Sequence, residues 1–368
     1  MTASVDYKIG MRTARALVIL LTFALTTRLT GAEHVRPAPK TIEVGKGVYL
    51  FISKPYGDVG LDGNSIAIVS NDGVLVFDTN GTPASSAMVL AEIRKLTTQR
   101  VRYVVYSHWH WDHWYGTETY TKAFPDVKVV AHEKSREMMA GPAIEFNRPG
   151  LESQLPGYLK DLETRAQSDR ALQPLLDEDR FFLEQKKNAH LVLPNTTYKD
   201  RLVLRLGDRE IQVRHHDRAV TPGDSFLYLP ADRIVVTGDL LVNPISFALS
   251  SYPTGWLNTL EEIDALDAAV LVPGHGEPLR DETLLHAQMH AMREMLKGGK
   301  DAKARGLDAD QAREAMLPRL KDDMLVMTKD DPKLNEQFRI YFVDWYLHRV
   351  YDELAGPLTD AIAPIPRK

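Results

Sequence analysis

Beyond residue 32 the chain is a succession of short apolar runs cut by turn residues, and the runs have two different periods. Segments 48–52, 65–70 and 74–78 are short and rich in β-branched residues, with Asn71-Asp72-Gly73 between the last two, a pattern that predicts strands joined by turns. In 83–96 the period changes: Val89, Ile93 and Leu96 share one helical face, with Leu90 beside it. Segments 101–106 and 127–131 read again as strands. From about 133 to 190 the chain is charged and helical in pattern, interrupted at Pro142, Pro149 and Pro156, which predicts an insertion. Strands resume at 201–206, 210–215, 225–229 and 233–237. Gly207-Asp208 suits a hairpin turn between the first two, and Ala231-Asp232 serves between the last two. Segment 257–266 predicts a helix, and 270–272 a short strand ending at Pro273-Gly274-His275. From Asp281 onward the pattern is helical; Phe338, Phe342, Tyr346 and Val350 form one apolar stripe. No repeat of solenoid period is present, and the mixing of strands with helices predicts an α/β or α+β fold.

Composition narrows the function more than the fold. The 368 residues, 44% of them hydrophobic, suffice for one large domain with appendages. A formal net charge of -5 argues against a nucleic-acid partner, which calls for a basic surface. There is no cysteine, so disulfides, thiolate metal sites and cysteine nucleophiles are excluded, and any metal must be held by His, Asp or Glu.

The first residues carry an address signal. Lys8, Arg12 and Arg15 precede an apolar run over 16–25, and Thr30-Gly31-Ala32 supplies small residues before Glu33. This basic, apolar, small order predicts a cleaved leader over 1–32 and a periplasmic or secreted protein, although Arg28 is an unusual neighbour for the cleavage point. The run is short for a bilayer span, and no second stretch is long and apolar enough, so no stable membrane span is expected after cleavage. The expected organisation is then a catalytic domain over 33–295, with its helical insertion at about 133–190, and a helical extension over 296–368.

The candidate chemistry sits just past the strand at 101–106, in Ser107-His108-Trp109-His110-Trp111-Asp112-His113. Three imidazoles and a carboxylate so close together are hard to explain by packing and suit zinc in the absence of thiolates. Extended chain would point 108, 110 and 112 to one side and start the next turn at His113. Two more candidates follow strands: Asp239 in Thr237-Gly238-Asp239-Leu240 and His275 in Pro273-Gly274-His275-Gly276, each beside a glycine that permits close backbone approach. Either alone would pass as a turn residue; their order after the cluster gives them weight.

Taken together, Asp78, His108-x-His110-x-Asp112-His113, Gly238-Asp239 and Gly274-His275-Gly276 resemble the metallo-β-lactamase superfamily over roughly residues 41–290. The resemblance implies a four-layer αβ/βα sandwich with metals at one edge of two packed sheets. It implies that His108 and His110 serve a first zinc, that Asp112, His113 and His275 serve a second, and that Asp239 bridges them. Asp78 would orient the loop from behind the ligands. One position departs from the family pattern: in Arg218-Ala219-Val220-Thr221-Pro222-Gly223, Val220 stands where the family has a histidine ligand. His215 and His216 lie just upstream on a strand, and adjacent strand residues face opposite ways, so one of them could take its place; His216, nearer the loop, is favoured. The other outcome is a first site that is weak or empty.

The implied reaction is hydrolysis by a hydroxide that zinc generates by lowering the pKa of water from 15.7 to about 7, with attack on a lactam, lactone, thioester or related centre. Iron or manganese suits the same donors. An aspartate at position 239 resembles the glyoxalase-like and lactonase-like branches more than the β-lactamases proper. The expected partner is a small apolar or aromatic substrate, because Trp109, Trp111, Trp114 and Tyr115 crowd the cluster and Phe247, Tyr252 and Trp256 follow Asp239. The alternative function is a metal-depleted, non-catalytic member that binds a ligand or partner, to which Val220 would point.

Overall fold

The computed structural model describes residues 36–363, so the expected leader and its cleavage at Ala32 lie outside the described residues. Twelve strands are described. β1 (Lys40–Gly45), β2 (Val48–Ile52), β3 (Ser65–Ser70), β4 (Gly73–Phe77), β5 (Val101–Val105), β6 (Lys128–His132) and β7 (Thr196–Tyr198) form one sheet in that order. β8 (Arg201–Leu206), β9 (Arg209–Arg214), β10 (Phe226–Leu229), β11 (Ile234–Gly238) and β12 (Val270–Pro273) form the other, in the order β12-β11-β10-β9-β8. The hairpins pair antiparallel, whereas β4 to β7, and β11 with β12, pair parallel across longer connections.

The two-residue period of each strand sorts its side chains between layers. Ile66, Ile68, Leu75 and Phe77 of the first sheet meet Ile211, Val213, Leu227 and Val236 of the second in a central core. Their neighbours Ala67, Val74 and Val76 face outward onto α1 (Pro83–Leu96), α2 (Glu118–Ala123), α3 (Glu133–Met139) and α4 (Pro142–Pro149). The helix α1 begins where Thr82 caps it, its side chain accepting from Ser85 N at 3.2 Å, with Pro83 in the first turn. On the far side, Phe226, Val235 and Leu271 face α7 (Pro253–Asp264) and α8 (Thr283–Ala304). Phe338, Phe342, Tyr346 and Val350 are all buried in that same outer core. The chain ends its described course through α9 (Ala309–Met316), α10 (Lys321–Thr328), α11 (Pro332–Gln337) and α12 (Trp345–Ala355). The result is the four-layer αβ/βα sandwich, with a helical insertion and a C-terminal helical extension.

The insertion is α3, α4, α5 (Leu155–Ser168) and α6 (Gln173–Asn188). Its prolines mark joints rather than breaks. Pro142 and Pro156 sit in first helical turns, where the missing N–H costs nothing, and Pro149 ends α4 at a π-helical stretch over 150–154. Leu159, Leu162, Ala166 and Leu176 give α5 and α6 a small core of their own. No helix among the described residues is long and apolar enough to cross a membrane.

Candidate metal centre

The site lies at the carboxyl ends of β4, β5, β11 and β12, where loops from both sheets converge. Ser107 N and Oγ each donate to one oxygen of Asp78, both at 2.7 Å, which binds the start of the histidine loop to the end of β4. The two sheets are tied at this edge by Ser225 N donating to Ser107 O at 2.7 Å. They are tied again by Asn64, whose N donates to Gly274 O at 2.7 Å and whose Nδ2 donates to Pro273 O and Gly276 O at 2.9 Å.

Backbone at 107–110 runs extended or irregular, but Trp111–His113 is a 3₁₀ turn. The alternation expected from sequence therefore stops at His110, and the turn carries Asp112 and His113 together into the site. The nitrogen and carboxylate atoms of His108, His113 and Asp239 lie within 4.8 Å of one another, as do those of Asp112, His113 and His275. His275 Nε2 is 3.1 Å from Asp112 Oδ2 and 3.5 Å from Asp239 Oδ1, and His113 Nε2 is 3.3 Å from Asp239 Oδ1. His110 stacks edge-on beside His108, with ring centroids 4.4 Å apart. Gly274 permits this closeness: a Cβ there would collide with Asp239 Oδ1.

Protonation follows from burial set against charge. Burial holds His108 well below the usual imidazole range, and His113 and His110 push the same way; burial also lowers His110. At His113 burial is outweighed by Asp239, Asp112 and Asp78, which together raise it well above its usual value. His275 is raised in the same way by Asp239 and Asp112. Burial would raise Asp112 and Asp239, but the adjoining imidazoles hold both well below the carboxylate range. The carboxylates thus demand positive charge at one point between them. His108 Nε2, His113 Nε2 and Asp239 Oδ1 are buried there without a hydrogen-bond partner. Orphaned donor atoms of the types zinc prefers, aimed at a common point, fit a divalent cation.

Two sequence expectations need correction. His216 is not brought to the cluster: its side chain is 44% exposed and pairs with Glu262 of α7. The strand β9 ends at Arg214, so 215 and 216 no longer follow strand alternation. His215 stacks instead on the buried His132, centroids 3.9 Å apart, with its Nδ1 held 2.8 Å from Asp224 O. Val220 is buried in the outer core with Ala219 and Trp256. The aromatic pocket is also smaller than expected. Trp114 and Trp256 are fully buried core, Tyr252 donates to Thr359 O at 2.9 Å, and Phe247 stacks with Tyr341 of the C-terminal segment, centroids 5.1 Å apart. Trp109 is buried against His110 and Phe146, and Tyr115 against Trp114, leaving Trp111 to line an open chamber.

Sequence reasoning missed three features of the site. Gly63 N donates to Asp112 O at 3.0 Å, and Asp62 accepts from Gly81 N at 2.8 Å and Ser85 Oγ at 2.6 Å, its carboxyl raised by burial to about 6. Lys186 of α6 is buried beside Trp111, its Nζ 3.3 Å from the ring centroid. Burial pushes that amine down to about 7 against the opposing pull of Asp112 and Asp62.

A sandwich of this topology with His and Asp donors at this edge defines a class, and the family model for the metallo-beta-lactamase superfamily matches residues 58–275. The chain belongs to that superfamily. Over 271 residues it is 22% identical to a linear primary-alkylsulfatase from a Pseudomonas species, covering 69% of this chain and 49% of that protein. Among solved structures it is similar to the sec-alkylsulfatase Pisa1 from Pseudomonas sp., with TM-score 0.59 and 19% identity over 86% of this chain and 50% of that one. It is also similar to a metallo-beta-lactamase from Pontibacter korlensis, with TM-score 0.50 and 17% identity over 69% of this chain and 99% of that one. The chain thus spans about half the length of the alkylsulfatases it matches.

Proposed function

We propose that this protein is an exported, zinc-dependent hydrolase of small molecules. The observation that carries the reading is the convergence of buried, unpartnered His108 Nε2, His113 Nε2 and Asp239 Oδ1 with Asp112 and His275. In this reading His108, His110 and Asp239 hold a first ion, and Asp112, His113, His275 and Asp239 a second. Zinc bound there would supply a water of pKa about 7 and polarise the bond to be cleaved. The protein's share is positional. Asp78 fixes the His113 ring and, through Ser107, the start of the loop. Asp112, held in a tight turn and kept ionised by its imidazole neighbours, is the group placed to accept a hydrogen bond from an attacking water and orient it. With Val220 in the core and His216 turned to Glu262, the first ion has one protein donor fewer than the second and is the weaker of the two. Iron or manganese would suit the same donors.

Carbonyl substrates such as lactones and thioesters come first by the donor set, with Asp239 in the bridging place. Sequence similarity to a linear primary-alkylsulfatase adds sulfate esters to the classes to test. The deciding experiment measures bound zinc and hydrolysis of lactone, thioester, lactam and alkyl sulfate substrates, before and after chelation. Zinc near two equivalents with chelator-sensitive turnover is the expected result. No bound metal after zinc reconstitution, and no turnover, would establish the metal-depleted binding protein instead.

A further inference from the structure

The helical insertion does more than cover the first sheet. Between α5, α6 and the histidine loop lies an open chamber of about 380 Å³ whose wall includes Trp111, Leu151, Leu155, Tyr158, Phe182 and Lys186. The wall is largely apolar, and Trp111, which lines it, immediately precedes Asp112 of the candidate metal centre in the chain. Into this apolar wall is set one ammonium. Lys186 is only 7% exposed. Among the described residues it forms no hydrogen bond and no ion pair; its Nζ rests against ring faces, 3.3 Å from the centroid of Trp111, 4.9 Å from Tyr115 and 5.5 Å from Phe182.

That arrangement is costly without a ligand. A buried cation is ordinarily paired, and aromatic faces recover only part of what water supplied. Asp62 does not neutralise it, being engaged by Gly81 N and Ser85 Oγ, and Asp112 faces the imidazoles of His113 and His275. Neighbouring Lys187 and Glu184 on α6 are exposed or half-exposed, as surface charges ordinarily are, whereas Phe182 and Lys186, four apart, share the buried face. An ammonium on the wall of a largely apolar chamber, with its donors unspent, matches a ligand that has an apolar body and one anionic group.

We propose that Lys186 is the specificity-determining residue of a substrate chamber built by the insertion, and that it selects small apolar molecules bearing a single anionic group, such as a carboxylate or sulfate. The assignment rests on the hydrolase reading only for calling the ligand a substrate; the recognition itself needs no metal. The anion pairs with Lys186 Nζ, the apolar body lies against Leu151, Leu155 and Phe182, and the Trp111 side of the ligand is presented to the metal edge.

The test uses the full chain at pH 6, where Lys186 carries its proton, and two probes of equal length, octanoate and 1-octanol, with affinity read by calorimetry in zinc-loaded and in chelator-treated protein. Wild type is expected to prefer octanoate in both states. Lys186→Met removes the charge at similar length and should weaken octanoate by about tenfold or more, as expected for loss of a charged hydrogen bond, while leaving octanol within about twofold. Leu151→Trp, at a partly exposed position where misfolding is not expected, should fill the chamber and weaken both probes. Octanoate affinity unchanged in Lys186→Met would overturn the proposal, as would both affinities unchanged in Leu151→Trp. Octanoate binding that vanishes on chelation and ignores Lys186 would place the anion on the metal and also overturn it. The zinc content measured alongside tells a failure of the chamber from a failure of the hydrolase reading.

Discussion

Oδ2 of Asp78 lies 2.7 Å from Nδ1 of His113, while the same carboxylate accepts from Ser107 N and Oγ at 2.7 Å. The contact holds the proton of Nδ1 on the Asp78 side, so that Nε2, which faces Asp112 and Asp239, is the nitrogen available to a metal ion that displaces its proton. A carboxylate buried at the end of β4 thereby sets the tautomer of a donor thirty-five residues along the chain.

Asp78→Asn should expose that role. Asp78 has φ 58°, a conformation asparagine also tolerates, so the backbone need not change. The amide keeps one acceptor for Ser107 N but presents an N–H to His113, which drives the ring proton to Nε2 and out of ligand service. Zinc affinity at one site should fall about 10- to 100-fold. Competition with a chromophoric chelator reads the affinity, and a wild-type value in Asp78→Asn would remove Asp78 from this role.

Gly63→Ala tests the packing behind the same ring. A Cβ at 63 would stand 2.5 Å from His113 Cε1 and 2.6 Å from Nδ1, and the ring cannot retreat because Asp78 holds it. The expected result is a loss of about 1–3 kcal/mol in stability, typical of overpacking, together with a fall in bound zinc. Gly157→Ala is the control: it lies within α5 and meets nothing within 4 Å, so neither quantity should fall. Equal behaviour of the two variants in denaturation and metal analysis would contradict the geometry.

His216→Ala should leave zinc content at the wild-type level, since the ring faces Glu262 and solvent. Asp112→Ala and His275→Ala should each lower it by about one equivalent with near-complete loss of hydrolysis, because each removes a donor from the same candidate group. Elemental analysis of the three purified variants decides; a lower zinc content in His216→Ala would return that residue to the ligand set.

The contrast shows what the sequence pattern could carry. The strands bearing the central core were legible because their period is local, and Phe338 to Val350 read correctly as one buried stripe. β1 and β7 escaped notice: β1 is an edge strand with three of its six residues exposed, and β7 has three residues. The motif residues His108, Asp112, His113, Asp239 and His275 were legible because their order along the chain is distinctive, and the structure brings them together. The position of His216 was not, because strand alternation applies only while the strand lasts, and β9 stops at Arg214. Gly63 and Asp62 act through a loop whose partners are far along the chain, which no local pattern reports. Lys186 sits in a run of charges that reads as a solvated helix face; only the i to i+4 spacing from Phe182 hinted that it turns inward.

The buried amine also makes a prediction about stability. Lys186 has its pKa pushed down to about 7 by burial, from a usual value of 10.5. Between those values the unfolded chain carries a proton that the folded protein does not, so stability rises with pH across that window. Above about 10.5 the burial of the neutral amine costs nothing electrostatically, and below about 7 the full cost is present. Lys186→Met should therefore be more stable than wild type by a few kcal/mol, about 2–5, at pH 6, because each pKa unit corresponds to about 1.4 kcal/mol. The advantage should shrink steadily as pH is raised to 9 and beyond. Octanoate should oppose it, stabilising wild type more than Lys186→Met at pH 6 by restoring a partner to the ammonium. Urea denaturation of both proteins at three pH values measures the difference. A gap that stays constant with pH would show that the amine is as well solvated in the folded chain as in the unfolded one.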